Sequence, residues 1–284
     1  MSPSVTDQDL IEGLRRLGLD RSSSVVVHAS LRSFGRVEGG AEAVCNALIS
    51  VCGTVLMPAF TFDACGVSWA PPGHQRPHNA ARNAETWEAF DAEVRRATPW
   101  RRDTPVDADI GAIPEAFRRM PEVRRSRHPL MSWTAWGSAA RDILVAQTLS
   151  SPLAPLQELS GRDGDVLLLG VGHWANTTVH LAEQRCGRSR FWRFGVIDAG
   201  IWVELPNIPG DSSAFGQLDG MIEPVASTRI GSCEARRYRV RAICAVVEEA
   251  IARDPAALLD LDHPGDERTG AAWRQRLACL AATD

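Results

Sequence analysis

A chain of 284 residues is long enough to bury a substantial core, as one large domain or two modest ones. Its 44% apolar content suits a globular protein, and a net charge of −4, with all 31 basic residues arginine, leaves no dense basic stripe for nucleic acid. No run approaches the roughly eighteen apolar residues of a membrane span, and the first residues lack the basic and apolar regions of a signal peptide, so a cytoplasmic protein is expected.

In chain order, Thr6 and Asp9 form a capping box before LIEGLRRLGL, an amphipathic helix that ends near Gly18. SVVVHAS (24–30) is a β-branched run and predicts a buried strand. EGGAEAVCNALISVCG (38–53) has helical spacing and stops at Gly53, and TVLMPAF (54–60) predicts a second buried strand. Strand, helix and strand in succession signal a βαβ unit and a largely parallel sheet. From Thr61 to Asp109 the periodicity dissolves into a segment rich in Pro, Gly, Asn and Trp. Its tryptophans argue against plain disorder, and an irregular stretch of this length predicts an insertion or lid over a site. Pro114 is placed as the first residue of a helix through EAFRRM. GSAARDILVAQ (137–147) predicts a helix, DVLLLGVG (165–172) a buried strand, and FWRFGVI with IWVELP a hairpin about Asp198-Ala199-Gly200. CEARRYRVRAICAVVEEAIARD (233–254) is read as the longest helix, stopped by Pro255. AAWRQRLACLAA (271–282) is read as a last amphipathic helix.

The seven cysteines are odd in number, scattered and never arranged as CxxC. Cys45, Cys52, Cys244 and Cys279 sit in apolar runs and read as reduced core thiols. No GxSxG elbow offers a serine nucleophile.

The densest stretch is GVGHWANTTVHLAEQRCG (170–187). Gly170, Gly172 and Ala175 formally satisfy a dinucleotide fingerprint, but this strand is not the first of a βαβ unit and no acidic residue follows at the required distance. His180 with Glu183 resembles half a zinc motif whose second histidine is missing. A third reading needs fewer coincidences. Asn176 or Thr177 caps a helix, His180 lies in its first turn, and Glu183 shares its face at i+3. A histidine there can serve as a base and a nearby carboxylate can orient it, while a satisfied core histidine remains the alternative. RSRHPLMSWTAWG (125–137) is the other dense stretch, and Pro129 forces His128 out of helical geometry.

VVVHASLRSFGRVEGGAEAV, TVLMPAFT, DTPVDADIGAIPEAFRRMPEVRRSRHPLMSWTAWG and SPLAPLQELSGRDGDVLLLGVGHWANTTVHLAEQR, in this order, resemble the aminoglycoside 3-N-acetyltransferase family from about residue 8 to 250. The resemblance implies a single α/β unit over residues 1–284, three α/β/α layers about a mixed, largely parallel sheet, with 61–109 forming part of the cleft. It implies acetyl-CoA as co-substrate, an aminoglycoside as acceptor, antibiotic resistance as outcome and no metal; a homodimer stays open. The family's catalytic histidine falls on His180. The coenzyme segment falls on His28, Ala29, Ser30, Leu31, Arg32, Gly35 and Val37, and the match is weakest in 61–100.

Residue chemistry agrees with that implication. An amine acceptor must lose a proton before or during attack, so one base suffices, and direct attack on a thioester needs no protein nucleophile. The carboxylate assisting His180 is Glu183 or, from across the cleft on IWVELP, Glu204. A polycationic acceptor calls for carboxylates: Asp63, Asp91, Glu93, Asp198, Glu204 and Asp211 are available, with Asp63, Glu93 and Asp211 taken for the acceptor side. Coenzyme phosphates favour arginines and a helix start, which points to Arg32, Arg36, Gly39 and Gly40. The alternatives are the same chemistry on another amine, a non-catalytic ligand-binding homologue, or a metal-dependent hydrolase built on His128, His173 and His180.

Overall fold

The computed structural model of the chain describes residues 4–188, 190–260 and 273–274. In chain order these form α1 (Asp7–Arg16), β1 (Ser24–Ala29), α2 (Gly40–Val51), β2 (Thr54–Pro58), α3 (Phe62–Cys65), the short strands β3 (Gly66–Val67), β4 (Trp69–Ala70) and β5 (Arg82–Asn83), and α4 (Trp87–Arg96). Then come α5 (Ala112–Arg119), β6 (Arg124–Arg125), β7 (Trp133–Gly137), α6 (Ala140–Val145), α7 (Ala154–Gly161), β8 (Asp165–Leu169) and α8 (Thr178–Arg185). β9 (Phe191–Asp198), β10 (Ile201–Ile208), β11 (Ala226–Ile230), β12 (Cys233–Arg239) and α9 (Val240–Arg253) complete the order.

The main sheet runs β11-β12-β8-β1-β2-β7-β6. Alternate residues of its central strands face opposite ways, as the pleat requires. Val26, Leu56, Val166 and Leu168 enter one core with α6, α7, α8 and α9. Val25, Val27, Val55, Met57, Leu167 and Leu169 enter a second core with α1, α2 and α5. Two cores on two faces make three α/β/α layers, as the resemblance implies.

The sheet is mixed, but it is not largely parallel. β1 is parallel to β2 and to β8, whereas the other four pairings are antiparallel. The connections explain this. The helix α2 carries the chain back from β1 to a parallel β2, while β11 and β12 are joined by Gly231-Ser232 alone, a link that fits only antiparallel neighbours.

Three further expectations need correction. Residues 233–239 are the strand β12, and the helix begins only at Val240. Pro114 is the third helical residue of α5, which starts at Ala112. The segment 61–109 is not irregular throughout. It contains α4, capped by the Thr86 side chain on the Ala89 N–H, and β3, which extends the β9–β10 hairpin. Val67, Phe90, Val94, Phe194 and Val196 give this part its own small apolar core. The last predicted helix (271–282) lies outside the described residues except for Trp273 and Arg274. Among the described residues no helix is long and apolar enough to cross a membrane.

Candidate active site

The parallel strands β1, β2 and β8 all end at one edge of the sheet, where α/β folds place ligands. The segments leaving them enclose a cleft of about 900 Å³. His28, Ala29, Ser30, Leu31, Arg32 and Gly35 line it from the end of β1, Pro58, Phe60 and Phe62 from β2, and Val171, Trp174, Ala175, Asn176, Thr177 and His180 from β8. Residues 108–112 with Pro114, Met131, and Pro209, Gly210 and Ser212 close the remaining sides.

His180 is held from two directions. Asn176 Oδ1 accepts the Thr178 N–H at 3.1 Å, which starts α8 and puts His180 in its first turn. One turn on, Glu183 Oε2 lies 2.6 Å from His180 Nδ1. Glu183 Oε1 accepts from Arg188 Nη2 at 2.9 Å, and neither side chain has measurable exposure. A carboxylate that deep requires a counter-charge, which Arg188 supplies while donating also to the Pro255 and Ala257 carbonyls. With Nδ1 donating to the carboxylate, the imidazole keeps Nε2 as the nitrogen that can take a proton, and the Phe215 ring packs 4.8 Å away.

The carboxylate in contact with His180 is Glu183 and not Glu204. Glu204 pairs with Arg76 at 3.0 Å, is exposed, and is absent from the cleft lining. Val37 also lies outside the lining, forming a bridge with Val5 and packing on the core under α1 and α2. Arg36, Gly39 and Gly40 stay outside it too, so the part of the segment expected to meet the coenzyme that lines the cleft ends at Gly35. Of the three acceptor-side carboxylates, Glu93 is buried on α4 and paired with Arg96, because that face of α4 packs on the small core. Asp211 caps the Ser213 N–H at 3.0 Å beside the lining residues Gly210 and Ser212. Asp63 is exposed at the start of α3, its N–H 3.2 Å from Asp107. Asp109 is the sole carboxylate in the described lining, and composition gave no reason to prefer it. Burial, with the charges of Asp63 and Asp109 nearby, pushes Asp107 up to about 6.

His28 and His128 are accounted for by the fold. Burial pushes His28 down to about 3, so it forms a neutral wall of the cleft rather than a cation for phosphate. His128 Nδ1 accepts the Leu130 and Met131 N–H groups at 3.2 and 2.9 Å, which fixes the turn ahead of β7. Among the described residues no three His, Cys, Asp or Glu side chains form a group that could hold a metal ion. Arg125, unremarked in the sequence beyond its motif, is buried and ties the Thr104 and Ala59 carbonyls and the Ser132 hydroxyl together beside the Asp107 wall. The six described cysteines are held as thiols by burial, Cys45 and Cys52 pushed up to about 12, Cys233 and Cys244 to about 11. Such thiols are poor nucleophiles.

Residues 26–252 match the family model described as aminoglycoside 3-N-acetyltransferase. The chain belongs to that family. It is 32% identical over 257 residues to the SPbeta prophage-derived aminoglycoside N(3')-acetyltransferase-like protein of Bacillus subtilis (strain 168), covering 86% of this chain and 90% of the relative. To aminoglycoside N(3)-acetyltransferase IV of Salmonella sp it is 28% identical over 292 residues, covering 97% and 95%. The crystal structure of the aminoglycoside acetyltransferase AAC(3)-IVa apoenzyme superposes with a TM-score of 0.76 at 28% identity, covering 97% of this chain and 99% of that one. The family brings with it the acyltransferase class and acetyl-CoA as co-substrate, so the sequence-based expectations for both hold.

Proposed function

We propose that the chain transfers the acetyl group of acetyl-CoA directly to the 3-amino group of an aminoglycoside in a ternary complex, in the cytoplasm, so conferring antibiotic resistance. His180 is the general base and Glu183 orients it. The observation that carries this reading is the His180–Glu183–Arg188 chain opening on the cleft of about 900 Å³ at the ends of the parallel strands. Nε2 takes the proton that the amine loses, the new C–N bond forms as the C–S bond breaks, and the coenzyme leaves as thiolate. Glu183 stabilises the imidazolium that forms. No protein nucleophile is required, consistent with thiols held in their protonated form. His28 to Gly35 are assigned to the coenzyme side. Asp109, with Asp63 nearby, is assigned to the acceptor side, so that 61–109 acts as one wall of a single acetyltransferase domain. A relative of known structure, an AAC(3)-IVa variant 27% identical to this chain, is complexed with a gentamicin.

A second reading, N-acetylation of a different amine such as a biosynthetic intermediate, is favoured by one observation: the described lining offers a polycation only Asp109. Thiol release from acetyl-CoA across a panel of amines separates the two. Release with aminoglycosides supports the first reading, and release with smaller amines alone supports the second. Replacing His180→Ala should lower turnover by about 10²- to 10⁴-fold, with coenzyme affinity by calorimetry nearly unchanged. Wild-type turnover in that variant would remove His180 from the mechanism.

A further inference from the structure

His173 lies in the turn between β8 and α8 and is completely buried. Its ring packs 4.8 Å from Tyr238 of β12. Nε2 stands 4.0 Å from Asp219 Oδ1 and has no hydrogen-bond partner among the described residues, while Nδ1 is 3.1 Å from Asn176 Nδ2. Asn176 is itself buried, and its Oδ1 caps α8 through the Thr178 N–H.

These contacts determine where the protons are. A backbone N–H can only donate, so the Asn176 atom facing Thr178 is the carbonyl oxygen. The other end of that amide is then the NH₂ group, which also can only donate. The ring nitrogen it meets must carry no hydrogen, so His173 is neutral with its proton on Nε2.

We infer, resting on His180 as the base, that His173 is a positioning residue for the reaction: its bare Nδ1 holds the Asn176 amide in the orientation that caps α8, and a proton on Nδ1 releases that cap. An imidazolium would set two donors face to face. The amide would turn over to offer its oxygen to the ring, and its NH₂ would then face the Thr178 N–H. The first turn of α8 depends on this residue twice, because the Val179 N–H also bonds the Asn176 carbonyl. His180 sits one residue further on, with its N–H on Thr177.

The groups around the ring set when this occurs. Asp219, from the 213–220 turn, favours the charged form, and Arg236 of β12, which pairs with Asp219 at 3.0 Å, opposes it. Burial opposes it most, so His173 titrates below the ordinary histidine range. Tyr238 faces the ring as a neutral phenol whose own ionisation is pushed up by burial. The cap is therefore intact at neutral pH and lost only in acid.

The test compares wild type with His173→Leu and His173→Asn. Asparagine places an oxygen near the position of Nδ1 and cannot titrate there. The acid limb of kcat/KM for thiol release, to which the base and the acceptor amine both contribute, should steepen by one further unit of slope at lower pH in wild type. That extra step should be missing in His173→Asn. His173→Leu strands the Asn176 donor and should lower kcat about tenfold with the acceptor KM little moved, and His173→Asn should restore it. The nitrogen-15 spectrum of the His173 ring should show a bare Nδ1 at neutral pH, with Thr178 amide exchange accelerating as the ring titrates. That spectrum requires no turnover, so it supports or overturns the capping arrangement even if the transferase reading fails. A proton on Nδ1 at neutral pH, or identical acid limbs in wild type and His173→Asn, would overturn the proposal.

Discussion

Glu183 carries two obligations that pull its substitutions in different directions. One oxygen orients His180, and the other neutralises Arg188, whose guanidinium has no exposure and whose described ionic partner is Glu183. Sequence spacing showed the first, because i+3 on a helix puts the two side chains on one face. It could not show the second: Arg188 lies past the end of α8 and folds back through a turn that no periodicity announces. From sequence alone Glu183→Gln would be expected to leave folding intact. The structure predicts otherwise, because breaking a buried ion pair on one side costs about 3–5 kcal/mol. Glu183→Gln should therefore lose both turnover and melting temperature. Adding Arg188→Met removes the stranded charge, and thermal unfolding should recover much of the loss while thiol release stays low. Recovery of activity along with stability would mean that Glu183 acts on the fold alone.

At the level of elements, what was legible follows from how many faces each segment buries. SVVVHA and DVLLL are buried on both faces and announce themselves as apolar runs. CEARRYR is covered unevenly, with Cys233, Ala235, Arg237 and Tyr238 inside and Glu234 and Arg239 outside. The arginines masked its period of two and let the following helix absorb it. α4 was missed for the opposite reason: Trp87, Phe90 and Val94 have helical spacing, but they sit in a polar segment that serves a separate small core. The turn after β8 carries the dinucleotide pattern only formally, and its first glycine has a different purpose. Gly170 has φ of 68°, and a Cβ there would lie 1.7 Å from Ser33 Oγ. Gly170→Ala should thus push on the 31–34 turn, whose Leu31 and Arg32 line the cleft on the side proposed for the coenzyme, costing about 1–3 kcal/mol from strain and overlap. Gly200→Ala, at φ of 71° with nothing within 4 Å of the new carbon, isolates the backbone part. Denaturant midpoints should fall further for Gly170→Ala, and calorimetry should show weakened coenzyme binding in it alone. Equal losses in both variants would mean that the 31–34 turn simply moves aside.

For the whole molecule, buried titratable groups set how stability responds to acid, and they oppose one another. His28 and His128 are pushed down to about 3 and about 4 from 6.5. Between those values and 6.5 the unfolded chain binds protons that the folded chain does not, so their contribution is fully present above pH 6.5 and is lost as pH falls. Asp107 runs the other way, raised to about 6 from 3.8. Its contribution is present below 3.8 and is lost as pH rises through about 6, since the folded chain then holds a proton the unfolded chain has released. Between pH 4 and 6 Asp107 therefore cancels about one of the protons that the depressed histidines, His173 among them, contribute. Asp107→Asn should steepen the rise of stability with pH in that window by about one proton, or about 1.4 kcal/mol per pH unit, while keeping an oxygen for the Asp63 N–H. Unfolding free energies at three pH values check this, and an unchanged slope would show that Asp107 is ionised in the folded chain at pH 5. The same ionisation bears on the wall proposed for the acceptor: above pH 6 it gains a negative charge near Asp109 and Asp63. An acceptor cation should then bind more tightly across that range in wild type and less steeply so in Asp107→Asn.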